Sequence, residues 1–559
     1  MRSIRRWFKR KRLRGSAMAI TGFARTRRRC CAGLLLAALA GCTVGPNFAR
    51  PAPWWSPAAW FGGRPKPALR SEPVAAPVDP NWWDLFRDPE LTSLENRLAG
   101  SNLDVQVATV RIAESRAQLG IARADLFPQL NADGSYTRER ISPLGAIAAI
   151  NGASAGSHGF AGSAGSFGSA GSGFAGNTGT LGAIPASVAA GGKTIPPFDL
   201  WQYGFDSTWE LDLWGRVRRA VESARASEEA AAENRRNTLV SALAELARDY
   251  VQLRGVQRNM QIVRENLRTA QESLRLTQER AASGLTNELD VSNAQAQVSS
   301  VAAQLPVLQQ QEAQAINALS LLLGQPPRAL QAELGAPKPI PPVPPRVPVG
   351  LPSDLIRRRP DIRAAEAQLH AATADIGVAV AAFFPSVSLS GSFGFQALTL
   401  AKTFSWDARQ YGIGPTISLP IFQGGRLRST LQLRKQEQKE AALTYQRTVL
   451  QALHDVDNAL IAYANEQRRR DQLQQDVNAS RRALDLARQR YSQGVATFLD
   501  VLDAERTVLA AEQQLNDSTT TVSTNLVALY KALGGGWERT YPAEPAGGNG
   551  TPGSGNTKL

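Results

Sequence analysis

After residue 41 no stretch of this 559-residue chain holds the roughly 18 to 20 consecutive apolar residues that a membrane-spanning helix needs. If the mature protein crosses a bilayer, strands must do it. Cysteine is nearly missing as well: Cys30, Cys31 and Cys42 are the whole supply, so the rest of the chain has neither a disulfide framework nor a thiolate metal site. The three histidines, His158, His370 and His454, stand far apart in sequence. No nucleophile elbow, phosphate loop or zinc spacing accompanies them, so the sequence speaks against an enzyme and calls for no cofactor or metal. Proline is absent from residues 216 to 282 and again from 426 to 492, and glycine is rare in both. Nothing there interrupts a helix.

The formal charge of +15 suggests a nucleic-acid partner until the charges are located. Residues 1 to 41 hold 12 Lys or Arg and no acid, and removing those 12 from +15 leaves +3. No nucleic acid is expected. The basic start, the apolar run Ala32 to Ala40 and the sequence Leu39-Ala40-Gly41-Cys42 read as a bacterial lipoprotein signal, residues 1 to 41, cleaved before Cys42. Cys42 is then the lipidation site, acylated with palmitate and buried in outer membrane lipid. The bland reading is an ordinary signal peptide that contains cysteine. Thr43, not Asp, follows, as in lipoproteins sent to the outer membrane, and translation starting at Met18 would shorten a long basic leader.

What is present is a duplication. Phe127-Pro128 returns as Phe384-Pro385, and Arg280, Gly284, Leu289, Asp290, Val291, Ala294, Leu323 and Gly324 return 210 residues later as Arg490, Gly494, Leu499, Asp500, Val501, Ala504, Leu533 and Gly534. Each copy supplies two strands that alternate apolar with polar residues. Leu130, Ala132, Gly134 and Tyr136 oppose Asn131, Asp133, Ser135 and Thr137; Trp201, Tyr203, Phe205 and Trp209 oppose Gln202, Gly204, Asp206 and Thr208. In the second copy Val387, Leu389, Phe393 and Phe395 alternate with serines, and Ile413, Ile417, Leu419 and Ile421 with Gly412, Thr416 and Ser418. One apolar and one polar face suits a barrel wall with lipid outside and water inside. A half-buried soluble sheet gives the same alternation. Four strands cannot enclose an aqueous lumen, and open edges are not tolerated in lipid, so a membrane reading requires association, with three copies giving twelve strands.

Each proline-free run spans on the order of 100 Å as a helix, and its apolar residues recur at coiled-coil-like intervals, so packing is against other helices. The expected organisation is a lipid-anchored extended segment, 42 to 89, then a first repeat over 90 to 335. That repeat has strands near 129 to 140 and 200 to 214, helices 102 to 126, 215 to 282 and 288 to 323, and a Gly, Ala and Ser-rich loop 141 to 199 placed outside the cell. Pro306 should kink or break its helix. The proline-rich stretch 336 to 352 reads as an extended linker along the outside. The second repeat, 353 to 536, has strands near 386 to 396 and 410 to 422 and helices 361 to 383, 425 to 492 and 499 to 533. Residues 537 to 559 read as a flexible tail. Matching Tyr203 with Tyr411 makes the first interstrand loop 49 residues longer than the second (257 − 208).

Cys42-Thr43-Val44-Gly45-Pro46-Asn47-Phe48, Trp82-Trp83, Asp88-Pro89-Glu90-Leu91, Gly350-Leu351-Pro352-Ser353-Asp354-Leu355 and Arg358-Arg359-Pro360-Asp361-Ile362 resemble the lipoprotein (NodT-type) branch of the TolC-like outer membrane factors, over essentially residues 42 to 537. The resemblance implies a mixed α and β, elongated homotrimer, in which four strands per chain build a twelve-stranded outer membrane barrel continued by a periplasmic α-helical barrel. It also implies work as the exit duct of a tripartite efflux pump that passes small molecules, with a periplasmic adaptor and an inner membrane transporter of RND type.

The turns at Gly284, Leu285 and Thr286 and at Gly494, Val495 and Thr497 would form the periplasmic tips. Glycine for chain reversal explains them structurally, and the resemblance adds contact with the adaptor. Leu499, Asp500, Asp503 and Asp290, with Arg490 and Tyr491, match positions that line or latch the periplasmic entrance in that family. Three copies of each carboxylate near one axis would form a cation-attracting ring with raised proton affinity. A solvated acidic helix start is the plainer account of Asp290 and Asp500. Asp503 is the sharper candidate, because its repeat partner is Asn293. Ala496 stands where some family members carry a basic residue, which weakens a full latch. Arg357-Arg358-Arg359 is expected to pair with Asp354 and Asp361 rather than to bind an anion. The competing function is a lipid-anchored coiled-coil structural or adhesive protein of the envelope.

Overall fold

The computed structural model describes residues 43–51, 69–140 and 197–538. The leader, Cys42, most of the long loop and the end of the tail lie outside these residues. The chain divides into two compact units, one from residues up to Gly45 with Arg123–Ala220 and Gly377–Thr430, the other from Pro46–Ala122, Val221–Ile376 and residues from Leu431 onward.

The first unit holds a four-stranded antiparallel sheet. Strands β2 (Gln129–Glu139), β3 (Phe198–Leu211), β5 (Ser386–Ala397) and β6 (Arg409–Ser418) lie side by side in that order. Register decides the character of its faces. Tyr136 pairs with Trp201, Phe205 with Ala132 and Phe393, Trp209 with Leu389, Phe393 with Tyr411 and Val387 with Ile417. Because directly paired residues share a face, these apolar positions merge into one continuous surface. The other face collects Asn131, Asp133, Asp206, Gln202, Ser392, Ser388, Gly412 and Thr416. On the apolar face Leu130, Tyr411 and Ile413 are 69%, 77% and 79% exposed, where a soluble sheet would cover them.

Two strands stop earlier than the alternation suggests. β3 ends at Leu211 because Asp212 turns into the helix start: its carboxylate accepts from the Arg218 backbone N–H at 2.9 Å and from Arg218 Nε at 3.2 Å. Trp214, just beyond, stacks on Phe384 at 4.8 Å and donates its indole N–H to the Pro385 carbonyl. β6 ends at Ser418 because its partner begins at Ser386. Register also corrects the repeat spacing. Gln129 pairs with Thr208 and Ser386 with Ser418, so with Gln129 and Ser386 equivalent at 257, Thr208 and Ser418 are equivalent at 210. The tyrosine match is two residues out, and the first loop's excess is 47 residues (257 − 210), not 49.

The two long helices, Arg216–Ala282 and Arg426–Ser492, have 67 residues each and identical repeat positions. They follow from strong helix formers without an internal proline.

In the second unit a core forms around Trp82, Trp83, Phe86, Leu239, Leu246, Tyr250, Leu526 and Tyr530. Of the segment expected to be extended, residues 82 to 86 depart from it. Trp82–Phe86 makes a turn of 3-10 helix, and Trp82 stacks on Tyr530 with ring centres 5.4 Å apart and planes 9° apart. Asp88 caps the helix Pro89–Ser101, its carboxylate accepting from the backbone of Glu90 and Leu91, with proline at the first position. Glu90 then meets Arg254, which is fully buried, at 2.5 Å. The proline-rich stretch is extended, as expected, but part of it packs inward. Its strand β4 (Arg346–Pro348) pairs in parallel with β1 (Glu72–Val74), and Val347 and Val349 are buried.

The expected helix 288 to 323 is two, Glu288–Ala302 and Gln304–Leu322, because Pro306 has no N–H for the Ala302 carbonyl. Its counterpart Phe498–Leu533 carries no proline and is unbroken. The helices expected at 102 to 126 and 361 to 383 run Leu103–Ala124 and Pro360–Ala381. Of the arginine triplet, Arg359 pairs with Asp361 at 2.6 Å and Asp455 at 3.3 Å, and Arg358 with Glu538 at 2.7 Å.

Candidate functional site

Both long helices end on the same device. Gly284 (φ 68°) donates to the Ala281 carbonyl and Leu285 to that of Arg280; Gly494 (φ 78°) donates to Tyr491 and Val495 to Arg490. This pair of bonds is the Schellman closure, and its left-handed residue is why glycine stands at both places. Leu285 and Val495 are 69% and 64% exposed, so each turn offers an apolar tip to solvent.

The next helix starts differently in the two copies. Asn287 caps Glu288–Ala302 by accepting from the Asp290 backbone N–H at 3.0 Å, while the Thr286 hydroxyl donates to the Asp290 carboxylate. In the second copy the Asp500 carboxylate itself does the capping. It accepts from the Thr497 hydroxyl and the Thr497 backbone N–H, each at 2.8 Å. The hydroxyl bond first, then the backbone bond, with a smaller contribution from the Arg490 charge, hold the Asp500 carboxyl below the usual carboxylate range. The raised proton affinity expected of a carboxylate ring belongs to three copies around one axis, while this shift arises within a single chain. Asp500 serves its helix start.

Asp503 lies one turn on, exposed, and its carboxylate takes no hydrogen bond among the described residues. Leu499 and Arg490 are also exposed. Tyr491 parts company with them. It is buried in a cluster with Leu484, Phe498, Val501 and Leu502, and its ring lies 5.7 Å from that of Phe498. The expected gate residues thus divide into an exposed set, a half-buried Asp290 and a buried tyrosine.

Sequence reasoning missed what holds that tyrosine. Arg280, from the first long helix, sets its guanidinium 4.6 Å from the Tyr491 ring centre and donates from Nη1 to the Tyr491 carbonyl oxygen at 3.3 Å. Arg280 Nε and the Tyr491 hydroxyl are buried there without a hydrogen-bond partner among the described residues. The joint is tight but incompletely satisfied.

A second missed feature climbs away from it. Glu505 accepts from Arg488 at 2.9 Å and Ser273 at 2.5 Å. Seven residues on, Glu512 accepts from Arg481 at 2.6 Å and Asn266 at 2.9 Å. All three helices step by seven, so the contacts repeat on the coiled-coil period and tie the helix Phe498–Leu533 to both long helices. That sevenfold spacing was the available signal. The first-copy equivalents of the two glutamates are Gln295 and Ala302, so this ladder exists once per chain.

Comparison with known proteins places this arrangement. The profile of the outer membrane efflux protein family matches residues 94–168, 177–325 and 351–535. The chain is 33% identical over 508 residues to outer membrane protein OprJ of Pseudomonas aeruginosa, covering 90% of this chain and 95% of that protein. It is 32% identical over 519 residues to the pyoverdine export outer membrane protein OpmQ of Pseudomonas putida, covering 92% and 99%. Among solved structures it is similar to the outer-membrane channel OprN, with a TM-score of 0.74, 34% identity and coverage of 89% of this chain and 100% of that one. The MtrE outer membrane channel of Neisseria gonorrhoeae gives a TM-score of 0.69 at 29% identity, covering 89% and 99%.

Proposed function

The chain belongs to the outer membrane efflux protein family, and on that premise we propose that it works as the passive, gated exit duct of a tripartite pump. Its place is the outer membrane of a Gram-negative bacterium, and its activity is efflux through a channel. The observation that carries the finer reading is the sheet: one face apolar, with exposed apolar residues on all four strands, the other polar, and β2 and β6 without an outer neighbour among the described residues. Lipid suits the first face and water the second. Closing the edges calls for further copies, and three make a twelve-stranded wall. Leu433, Leu443, Ile461 and Leu486 on the second long helix, and Leu103, Val107, Val110 and Ile121 on Leu103–Ala124, are exposed apolar residues that neighbouring copies would cover.

The apolar tips at Leu285 and Val495 fit docking by a periplasmic adaptor, itself joined to an inner membrane transporter of RND type. Leu499 and Asp503, exposed beside the second tip, would line the entrance, with three Asp503 carboxylates attracting cations. Arg280 and Tyr491 hold the first-copy helix end against the second, and are the latch in this reading. Cys42 would carry the lipid. Cargo selection is left to the transporter. Relatives at about the same identity are named for pyoverdine, toluene and antibiotics, which fits a duct that does not choose.

Membrane extraction separates this from a lipid-anchored coiled-coil envelope protein. With Cys42→Ser the channel still requires detergent to leave the membrane. Release of that variant by carbonate alone would favour the coiled coil.

A further inference from the structure

Residues 398 to 408 join β5 to β6 at the end of the sheet opposite to that from which the long helices start. This connection is not a plain polar turn. It forms a helical turn, Leu400–Thr403, and a 3-10 turn, Trp406–Ala408, and folds back onto the apolar face. The Phe404 ring lies 5.6 Å from that of Tyr203 and the Trp406 ring 6.4 Å from that of Phe395, while the Tyr203 hydroxyl donates to the Thr403 carbonyl at 3.3 Å. Tyr203 and Phe395 pair directly on that face. Phe404 and Trp406 nevertheless stay 72% and 65% exposed, and Leu398 and Leu400 are exposed beside them.

Cations stand among these apolar side chains. Arg409 is paired with Phe395 and so shares its face; its guanidinium lies 5.0 Å from the Trp406 ring centre and donates to the Trp406 carbonyl at 2.8 Å. Lys402 is exposed in the helical turn, and neither cation meets a carboxylate among the described residues. Asp407 is the segment's single acid. At the same end of the face Arg138 pairs with Asp199 at 3.7 Å, directly opposite it across β2 and β3, which marks the level where apolar side chains give way to charge. We propose that this connection binds a phosphate-bearing glycolipid of the outer leaflet, with Leu398, Leu400, Phe404 and Trp406 among its acyl chains and Lys402 and Arg409 on its phosphate. The patch continues the face that lipid covers, tryptophan suits the headgroup level, and a guanidinium already held by an aromatic ring offers its remaining donors to phosphate. The inference rests on the reading that this sheet sits in a bilayer.

Native mass spectrometry of the full-length protein in detergent tests this, with diphosphoryl lipid A and its dephosphorylated form as the probes. The parent should bind the phosphorylated form several-fold more tightly. Lys402→Gln with Arg409→Gln should lose that preference, and Lys402→Gln alone, at an exposed position off the strands, should lower it in part. Lys439→Gln with Arg447→Gln, which removes the same charge from the second long helix, should keep it. Asp407→Asn should raise it, a change that loss of a merely structural contact would not produce. Phe404→Ser with Trp406→Ser should weaken both forms alike. Equal binding of the two forms by the parent, or a preference that survives Lys402→Gln with Arg409→Gln, overturns the site. Phosphatidylglycerol bound as tightly as lipid A overturns the assignment to a glycolipid. Release of the Cys42→Ser variant from membranes by carbonate alone overturns the reading beneath it instead.

Discussion

Arg280 stands over the face of Tyr491, 4.6 Å from guanidinium carbon to ring centre, and joins the end of one long helix to the end of the other. The two residues are not repeat equivalents: Arg280 corresponds to Arg490, and Tyr491 to Ala281. The contact exists because the two copies differ, and it should hold the mouth shut. A partly desolvated cation–π contact contributes about 0.5–2 kcal/mol. Arg280→Ala should therefore raise the open fraction by about twofold to thirtyfold, since 1.4 kcal/mol is tenfold. Single-channel recording would show it as longer or larger openings. Unchanged openings would remove Arg280 from the latch.

The glutamate ladder should resist disruption more strongly. Glu505 is nearly buried and accepts from a charged and a neutral donor, and hydrogen bonds to charged groups contribute about 1.5–3 kcal/mol each. Arg488 is partly exposed, so the low end applies to its side of the pair. Glu505→Ala should lower the thermal midpoint followed by circular dichroism in detergent. Glu505→Gln should recover part of the loss by keeping the Ser273 contact.

Much of this was written plainly in the sequence. Period-two alternation from Leu130 to Ile421 located the strands, and the absence of proline between Arg216 and Ala282 located a helix whose ends the structure repeats. Other features depend on which surfaces meet. The prolines of 336 to 352 suggested an outside linker, but Val347 lies on a strand that finds β1 and Val349 is buried just past it. Arg280 could not be paired with Tyr491 by spacing, since the contact depends on how two helix ends pack. Asp500 offered both an acidic ring and a helix start in the sequence, and which hydroxyl it would meet, that of Thr497, depended on the turn's geometry.

Glu95 makes a prediction about pH. It is fully buried in the second unit, neither carboxylate oxygen has a hydrogen-bond partner among the described residues, and burial pushes its pKa well above the usual range. The folded chain thus holds this proton more tightly than the unfolded chain, whose carboxyl titrates near 4.3. Its contribution to stability is complete below about pH 4.3 and is lost as pH rises towards the folded value. Glu95→Gln should flatten that decline and raise the thermal midpoint at neutral pH relative to the parent, with little difference at pH 4. A midpoint falling equally at both pH values would contradict the assignment.

Asp503 should act on ions rather than on stability. Exposed and unbonded, it can be neutralised as Asp503→Asn with the fold unchanged, and cation selectivity measured as a reversal potential in a salt gradient should decrease. Asp500→Asn should instead weaken the helix start, read as a lowered thermal midpoint.

The central claim is that an exposed apolar sheet face becomes the outer wall of a water-filled duct. Recording the purified, full-length protein in a planar lipid bilayer tests it most directly. Discrete conductance steps, altered by Arg280→Ala and by Asp503→Asn, are the predicted result. A membrane-inserted, multimeric protein that leaves the bilayer electrically silent, with Arg280→Ala as silent as the parent, would contradict it.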